Sequence, residues 1–179
     1  EFGAIKRVNI LRDEDSFKRN LNLYILSENV DGDFVKPSQT IKQNLRNWIA
    51  RYKMLNDTVD IFDGEFVNLK LSYEVVSGFD VNKFDLLTRC NEAIEKKFNT
   101  KYNMGESFYL SDVYITLNSV SGVVDTTNVV VGTKSSAGYS QYPFNINEHL
   151  SNDGRVLRAP DKVAFEIKDF DADITGVIK

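Results

Sequence analysis

One cysteine, one histidine, one tryptophan, two methionines and three prolines are all that this 179-residue chain holds of those types. The lone cysteine, Cys90, excludes an intrachain disulfide and leaves no set of thiolates to hold a metal. The lone histidine, His149, lies in a loop-rich stretch with no obvious partner, so the sequence shows no nucleophile–base pair. No apolar run exceeds a few residues, far short of a membrane span. Charge is also unremarkable: the net value is −4 and the isoelectric point near 5.1, which argues against a bulk nucleic-acid binder. No nucleic acid, membrane or small-molecule substrate is therefore expected as a partner, and no cofactor.

What remains is ordinary globular composition, 42% hydrophobic and 27% charged, in a length that suits one sizeable core with an appendage. The opening "EFG" reads as a possible cloning remnant, and the chain as a fragment of something longer. "AIKRVNIL" (4–11) and "LNLYILS" (21–27) read as strands joined by the charged run "RDEDSFKRN". Pro37 and Ser38 signal a helix start, and Ile41, Leu45, Trp48, Ile49, Tyr52 and Leu55 follow at helical spacing. Residues 58–78 are strand-like and are split by Asp63-Gly64. Asp80 is a candidate cap for a second helix carrying Phe84, Leu87, Cys90, Ala93, Ile94 and Phe98.

Residues 104–125, "MGESFYLSDVYITLNSVSGVVD", have a strand's composition and a helix's spacing. Leu110, Val113, Tyr114, Leu117 and Val120 fall on one helical stripe, whereas alternation collects only Val113, Ile115 and Leu117. The spacing predicts a short helix with Ser111 as its cap and Gly122 as its stop, before a strand at 123–132. Gly105 loosens the turn that precedes it. The order of elements predicts an α+β fold: a mixed sheet with two main helices and one short helix on one face. Residues 1–131 form that domain, and 132–179 a loop-rich C-terminal appendage with short strands.

Several chemical motifs fail on inspection. Asp169, Asp171 and Asp173 begin a calcium loop, but Ile174 stands where the sharp-turn glycine belongs. "GTKSSAG" (132–138) lacks the Gly-Lys-Ser/Thr ending of a phosphate loop. Cys90 reads as a buried small hydrophobe and His149 as a surface or capping residue. No metal site and no enzymatic activity are expected. One electrostatic feature has shape: between Asp33 and Asp57 stand five bases, Lys36, Lys42, Arg46, Arg51 and Lys53, and no acid. Lys42, Arg46 and Lys53 line one edge of the first helix's apolar face, a solvated edge or a contact for an acidic partner. Trp48 is either core or a binding residue. Tyr139, Tyr142 and Phe144, set among small polar residues, are either a satellite cluster or further interface candidates.

The ordered segments resemble a known family. "LNLYILSENVDGDFVKPSQTIKQNLRNWIARYKMLNDTVDIFDGEFVNLKLSYEVV", with its junction at Met54, Leu55, Asn56 and Asp57, is similar to the central region of the baseplate J-like family, the baseplate wedge proteins of contractile-tailed, T-even-like bacteriophages. "DVNKFDLLTRCNEAIEKKFN" resembles that family's second helix. Residues 104–125 match its signature through Gly105, Ser111, Val120, Gly122 and Val123. The resemblance covers about residues 4–131 and implies a structural subunit of a tail baseplate, assembled in the host cytoplasm. Its implied partners are other wedge subunits and copies of itself, in a ring that rearranges on sheath contraction. The alternatives are a small-ligand or regulatory α+β binding module and, third, a carboxylate-based hydrolase.

Overall fold

Eight alternating residues, Ile5–Arg12 (β1), run antiparallel to Asn20–Glu28 (β2), with Val8 opposite Ile25 and Ile10 opposite Leu23. These come from a computed structural model that describes residues 5–13 and 20–179. The possible remnant at 1–3 and most of the charged run after β1 lie outside the described residues. Along the other edge of β2 lie Phe34–Val35 (β3), antiparallel, and Thr58–Asp63 (β4), parallel. A parallel neighbour demands a crossover, and the helix Gln39–Tyr52 (α1) is part of it. Ser38 caps α1 as the sequence predicts, its Oγ accepting from Ile41 N at 3.4 Å.

β2 is buried on both faces, which explains its continuous apolar run "LYIL". Leu23, Ile25 and Ile61 pack with Leu45 and Ile49 of α1, and Leu26 packs on the other face with Phe34, Met104 and Ala164. The chain divides into two compact units, and this is the first: residues up to Phe66 with Asn103–Gly105 and Pro160–Ala164. Asp63-Gly64 splits β4 from the next strand as predicted. Glycine is required there by space, because an added Cβ would overlap the Met104 methyl and lie 2.9 Å from Leu26 Cγ.

The second unit comprises Val67–Tyr102, Glu106–Ala159 and Phe165–Lys179. Its long strand Glu65–Ser77 (β5) directs Leu69, Leu71, Tyr73 and Val75 inward. Helix Lys83–Phe98 (α2) buries Leu86, Cys90, Ile94 and Phe98, an i, i+4 stripe. Phe108–Tyr109 (β6) leads into helix Leu110–Asn118 (α3), whose Leu110, Val113 and Leu117 are buried. Val123–Thr133 (β7) then pairs antiparallel with β5. A short helix Ile146–His149 (α4) precedes Val156–Leu157 (β8), which pairs with β6. Val163–Glu166 (β9), helix Phe170–Asp173 (α5) and Ile174–Ile178 (β10) complete the order. β9 and β10 both pair with β5, β10 in parallel.

The fold is α+β with mixed sheets, but the described strands form two four-stranded sheets and a two-stranded ladder where one sheet was expected. Residues 132–179 do not hang from the domain as an appendage. β10 takes Leu71 to Val75 of β5 as its partners, and Val163 to Ile167 are buried. A pairing across some hundred residues leaves no local turn signal. The short helix in 104–125 forms as expected, but Gly122 is not its stop: the helix ends at Asn118 with Ser119 as its C-cap, and Gly122, at φ +100°, stands in the turn just before β7, while Gly105 sits at +75°. Its cap differs: Tyr109 holds the cap position without a side-chain bond, and Ser111 lies inside the helix. For α2 the cap is Asn82, whose Oδ1 accepts from Phe84 N at 3.0 Å, not Asp80. The buried stripe also differs from the predicted one: Phe84 faces solvent, 82% exposed, and Leu86 is in the core.

Candidate functional site

In the first unit the surface of α1 carries the clearest unsatisfied feature. No residue of this helix is fully buried. Its stripe Ile41, Leu45 and Ile49 is half-covered by one sheet face, where Leu45 and Ile49 join the packed cluster. Trp48 is 48% exposed and Tyr52 71%, with their rings 4.7 Å apart, and Met54 and Leu55 beyond the helix end are exposed too. Trp48 is therefore not a core residue. Opposed residues share a sheet face, so Val8 and Ile10, paired with Ile25 and Leu23, lie on the face that α1 covers. Both are more than half exposed.

The predicted basic edge does not stand free. The Lys42 ammonium lies 2.9 and 3.1 Å from the two Asp63 oxygens, its side chain only 18% exposed. Lys53 donates to the Asp57 carbonyl at 2.7 Å, closing the turn after α1. Arg46 reaches Gln43 Oε1 at 3.5 Å. Of the three, Arg46 alone meets neither a carboxylate nor the backbone among the described residues.

In the second unit, Tyr139, Tyr142 and Phe144 are half-buried. Phe144 stacks on His149, with ring centroids 4.6 Å apart and planes at 10°, and meets the buried Phe165 edge-on at 5.6 Å. The Tyr139 hydroxyl accepts from Lys134 Nζ at 2.8 Å and donates to Asp173 Oδ1 at 3.2 Å. Lys134 also reaches that Oδ1 at 2.6 Å. These bonds, to Asp173 first and to Tyr139 second, raise the lysine pKa to about 12. Asp173 is thus a buried carboxylate with a cationic partner. Asp169 has a different job, capping α5 with bonds from Asp171 N and Ala172 N.

Next to this triad opens a cleft of about 540 Å³ whose lining includes Asn68, Lys134, Ser140, Gln141, Tyr142 and Phe144. Its amides are largely occupied. Buried Asn68 donates to Glu166 Oε2 at 2.9 Å and accepts from Ser140 N at 2.7 Å. Gln141 Nε2 donates to the Ser135, Ser136 and Tyr139 carbonyls. The polar groups hold the loop together more than they converge on a point in the cleft. Asn68, Glu166, Lys134 and Asp173 were missed as a group in the sequence. Strand alternation sets Asn68 on the face opposite Val67 and Leu69, where a polar residue reads as outward, so no sequence signal marked it as buried.

Cys90 lies fully buried in α2, and burial pushes its thiol pKa up. The one histidine is stacked against Phe144 as described, so neither residue sits in a nucleophilic arrangement. Among the described residues no group of three or more His, Cys, Asp or Glu side chains is placed to hold a metal, and no helix is long and apolar enough to cross a membrane. No protein-family model matches the chain, and no curated protein matches it.

Proposed function

We propose that this chain is a structural subunit of a phage tail baseplate wedge. It works through protein–protein contacts with other wedge subunits and with copies of itself, in a ring that rearranges when the sheath contracts. In this reading it resides in the virion tail baseplate after assembly in the host cytoplasm. The ordered resemblance over residues 4–131 supplies the family, and one structural observation carries the contact role. A helix with no fully buried residue exposes a Trp48–Tyr52 pair, the rings tilted at 42°, beside Met54 and Leu55. Aromatic residues presented this way are enriched where proteins meet.

Size-exclusion chromatography with light scattering and native mass spectrometry of the chain, alone and mixed with neighbouring baseplate subunits, tests the reading. Concentration-dependent oligomers, or a stable mixed complex, are expected. A strict monomer that binds no neighbouring subunit overturns it.

The cleft in the second unit favours the small-ligand alternative by volume, since sites for small molecules run to several hundred Å³. The internal bonding of its Asn68 and Gln141 amides weighs against that alternative, because a ligand would displace bonds already made.

A further inference from the structure

We propose that residues 135–143 form a strap, latched beside the cleft of the second unit by polar hooks, that opens as one piece while the sheet beneath it stays folded. The inference stands apart from the assembly reading. No residue from Thr133 to Asn145 is fully buried. Between Ser135 and Phe144 the one backbone–backbone bond among the described residues runs from Tyr139 N to the Ser136 carbonyl, at 3.0 Å. A segment with so little buried apolar surface and so few ladder bonds belongs to the low end of local stability. Its two ends are firm. Lys134 N continues the β7 ladder to the Asn68 carbonyl at 3.0 Å, and the Phe144 ring packs edge-on against the buried Phe165.

Three hooks hold the strap down, each from a different place in the unit. Ser140 N donates to Oδ1 of the buried Asn68 on β5 at 2.7 Å. Lys168 Nζ, from the stretch between β9 and α5, donates to the Gly138 carbonyl at 2.8 Å. The Tyr139 hydroxyl sits between Lys134 Nζ and Asp173 Oδ1, and the two lysine ammoniums lie 4.3 and 5.6 Å from its ring centroid. Gln141 Nε2 bonds the Ser135, Ser136 and Tyr139 carbonyls, so the strap keeps its own shape and moves as a unit. Beneath it, Asn68 and Glu166 are almost wholly buried and bonded to each other at 2.9 Å. Opening takes the Ser140 donor from Asn68 Oδ1 and bares that acceptor in the lining of the cleft.

Amide hydrogen exchange of the whole chain, read residue by residue by NMR, tests this, with the amides of β5 and β7 as the internal reference. Three strap amides have acceptors to lose: Tyr139 to Ser136, Ser140 to Asn68, and Tyr142 to Ser140 Oγ. They are expected to share one degree of protection, about a hundredfold or more below that of the best-protected amides of β5 and β7. Tyr139→Phe and Lys168→Met each cut a hook that bonds neither Ser140 nor Tyr142. Both variants should nonetheless speed exchange at Ser140 and Tyr142 about five- to tenfold, the effect of one hydrogen bond involving a charged group, and leave β7 unchanged. A Tyr142 amide that neither variant moves overturns the inference, and so do strap amides protected as strongly as β7. So does acceleration of β7 in step with the strap, because the motion is then unfolding of the unit.

Discussion

Lys134 Nζ lies 2.6 Å from Oδ1 of Asp173, a carboxylate with no solvent exposure, and the Tyr139 hydroxyl donates to the same oxygen. This pair ties the end of β7 to α5, so it fixes the loop that forms the cleft to the helix that launches β10. Removing the cation leaves a buried charge uncompensated, which costs more than removing both partners. Lys134→Met is therefore expected to lower the melting midpoint by several degrees, and Lys134→Met/Asp173→Leu to recover part of the loss. Thermal denaturation of the three proteins checks it.

The same pair sets an alkaline dependence. The lysine pKa rises from 10.5 to about 12 on folding, chiefly through the bond to Asp173. A raised folded pKa means that the stabilisation is complete below the unfolded value and fades as pH climbs through the folded one. The difference in midpoint between wild type and Lys134→Met should be flat across neutral pH and shrink between pH 10.5 and about 12. A difference that instead shrinks on acidification to mildly acid pH would contradict the assignment.

Gly64 marks where β4 gives way to β5, and its backbone is not in the left-handed region, so its requirement is one of space. Gly64→Ala should cost about 1–3 kcal/mol, the usual range for overpacking. The first atom in the way is the end of the flexible Met104 side chain. Gly64→Ala/Met104→Ala should therefore lose less than the sum of the single changes, a non-additivity expected of touching residues. Urea denaturation of the four proteins in the cycle measures it.

How far this fold could be read from the sequence depends on whether each signal was local. The start of α1 at Ser38, the break at Gly64 and the short helix after Tyr109 all follow from neighbours within a turn or two, and the structure has them. Which strand pairs with which is not local. β10 finds β5 across some hundred residues, so a single sheet and a C-terminal appendage were the natural but mistaken expectations. The apolar spacing of α1 correctly gave a helix yet overstated its burial, because periodicity reports which side is apolar and not whether anything covers it. Tyr139, Tyr142 and Phe144 were legible as unusual aromatics. Their partners Lys134, Asp173, His149 and Phe165 were not, since three of the four come from other elements. Trp48 was left between core and interface, and its half exposure follows from its place at the margin of the covered stripe.

The corrected register of α2 gives a sharp contrast. Ile94 is fully buried and Phe84 is 82% exposed, although both belonged to the predicted apolar stripe. Ile94→Ala should cost about 2–4 kcal/mol through lost burial and the cavity left behind. Phe84→Ala should change stability by no more than about 0.5 kcal/mol, as an exposed substitution does. Equal losses in chemical denaturation would mean that the helix face has been misassigned.

Gly122 is constrained both by its backbone and by its neighbours. It sits at φ +100° after α3 and just before β7, a conformation that a residue with a Cβ adopts only under strain. Space is short as well, for an added Cβ would stand 3.2 Å from Val81 Cγ1 and 3.4 Å from Leu86 Cδ1. Leu86 belongs to the buried stripe of α2, so relief by movement would disturb the packing that holds that helix. Gly122→Ala is expected to cost about 1–3 kcal/mol. Gly138→Ala, at φ +87° with nothing within 4 Å of the added carbon, isolates the backbone part and should cost less. Denaturation midpoints in which Gly138→Ala lost as much as Gly122→Ala would show that the crowding by Val81 and Leu86 is not felt.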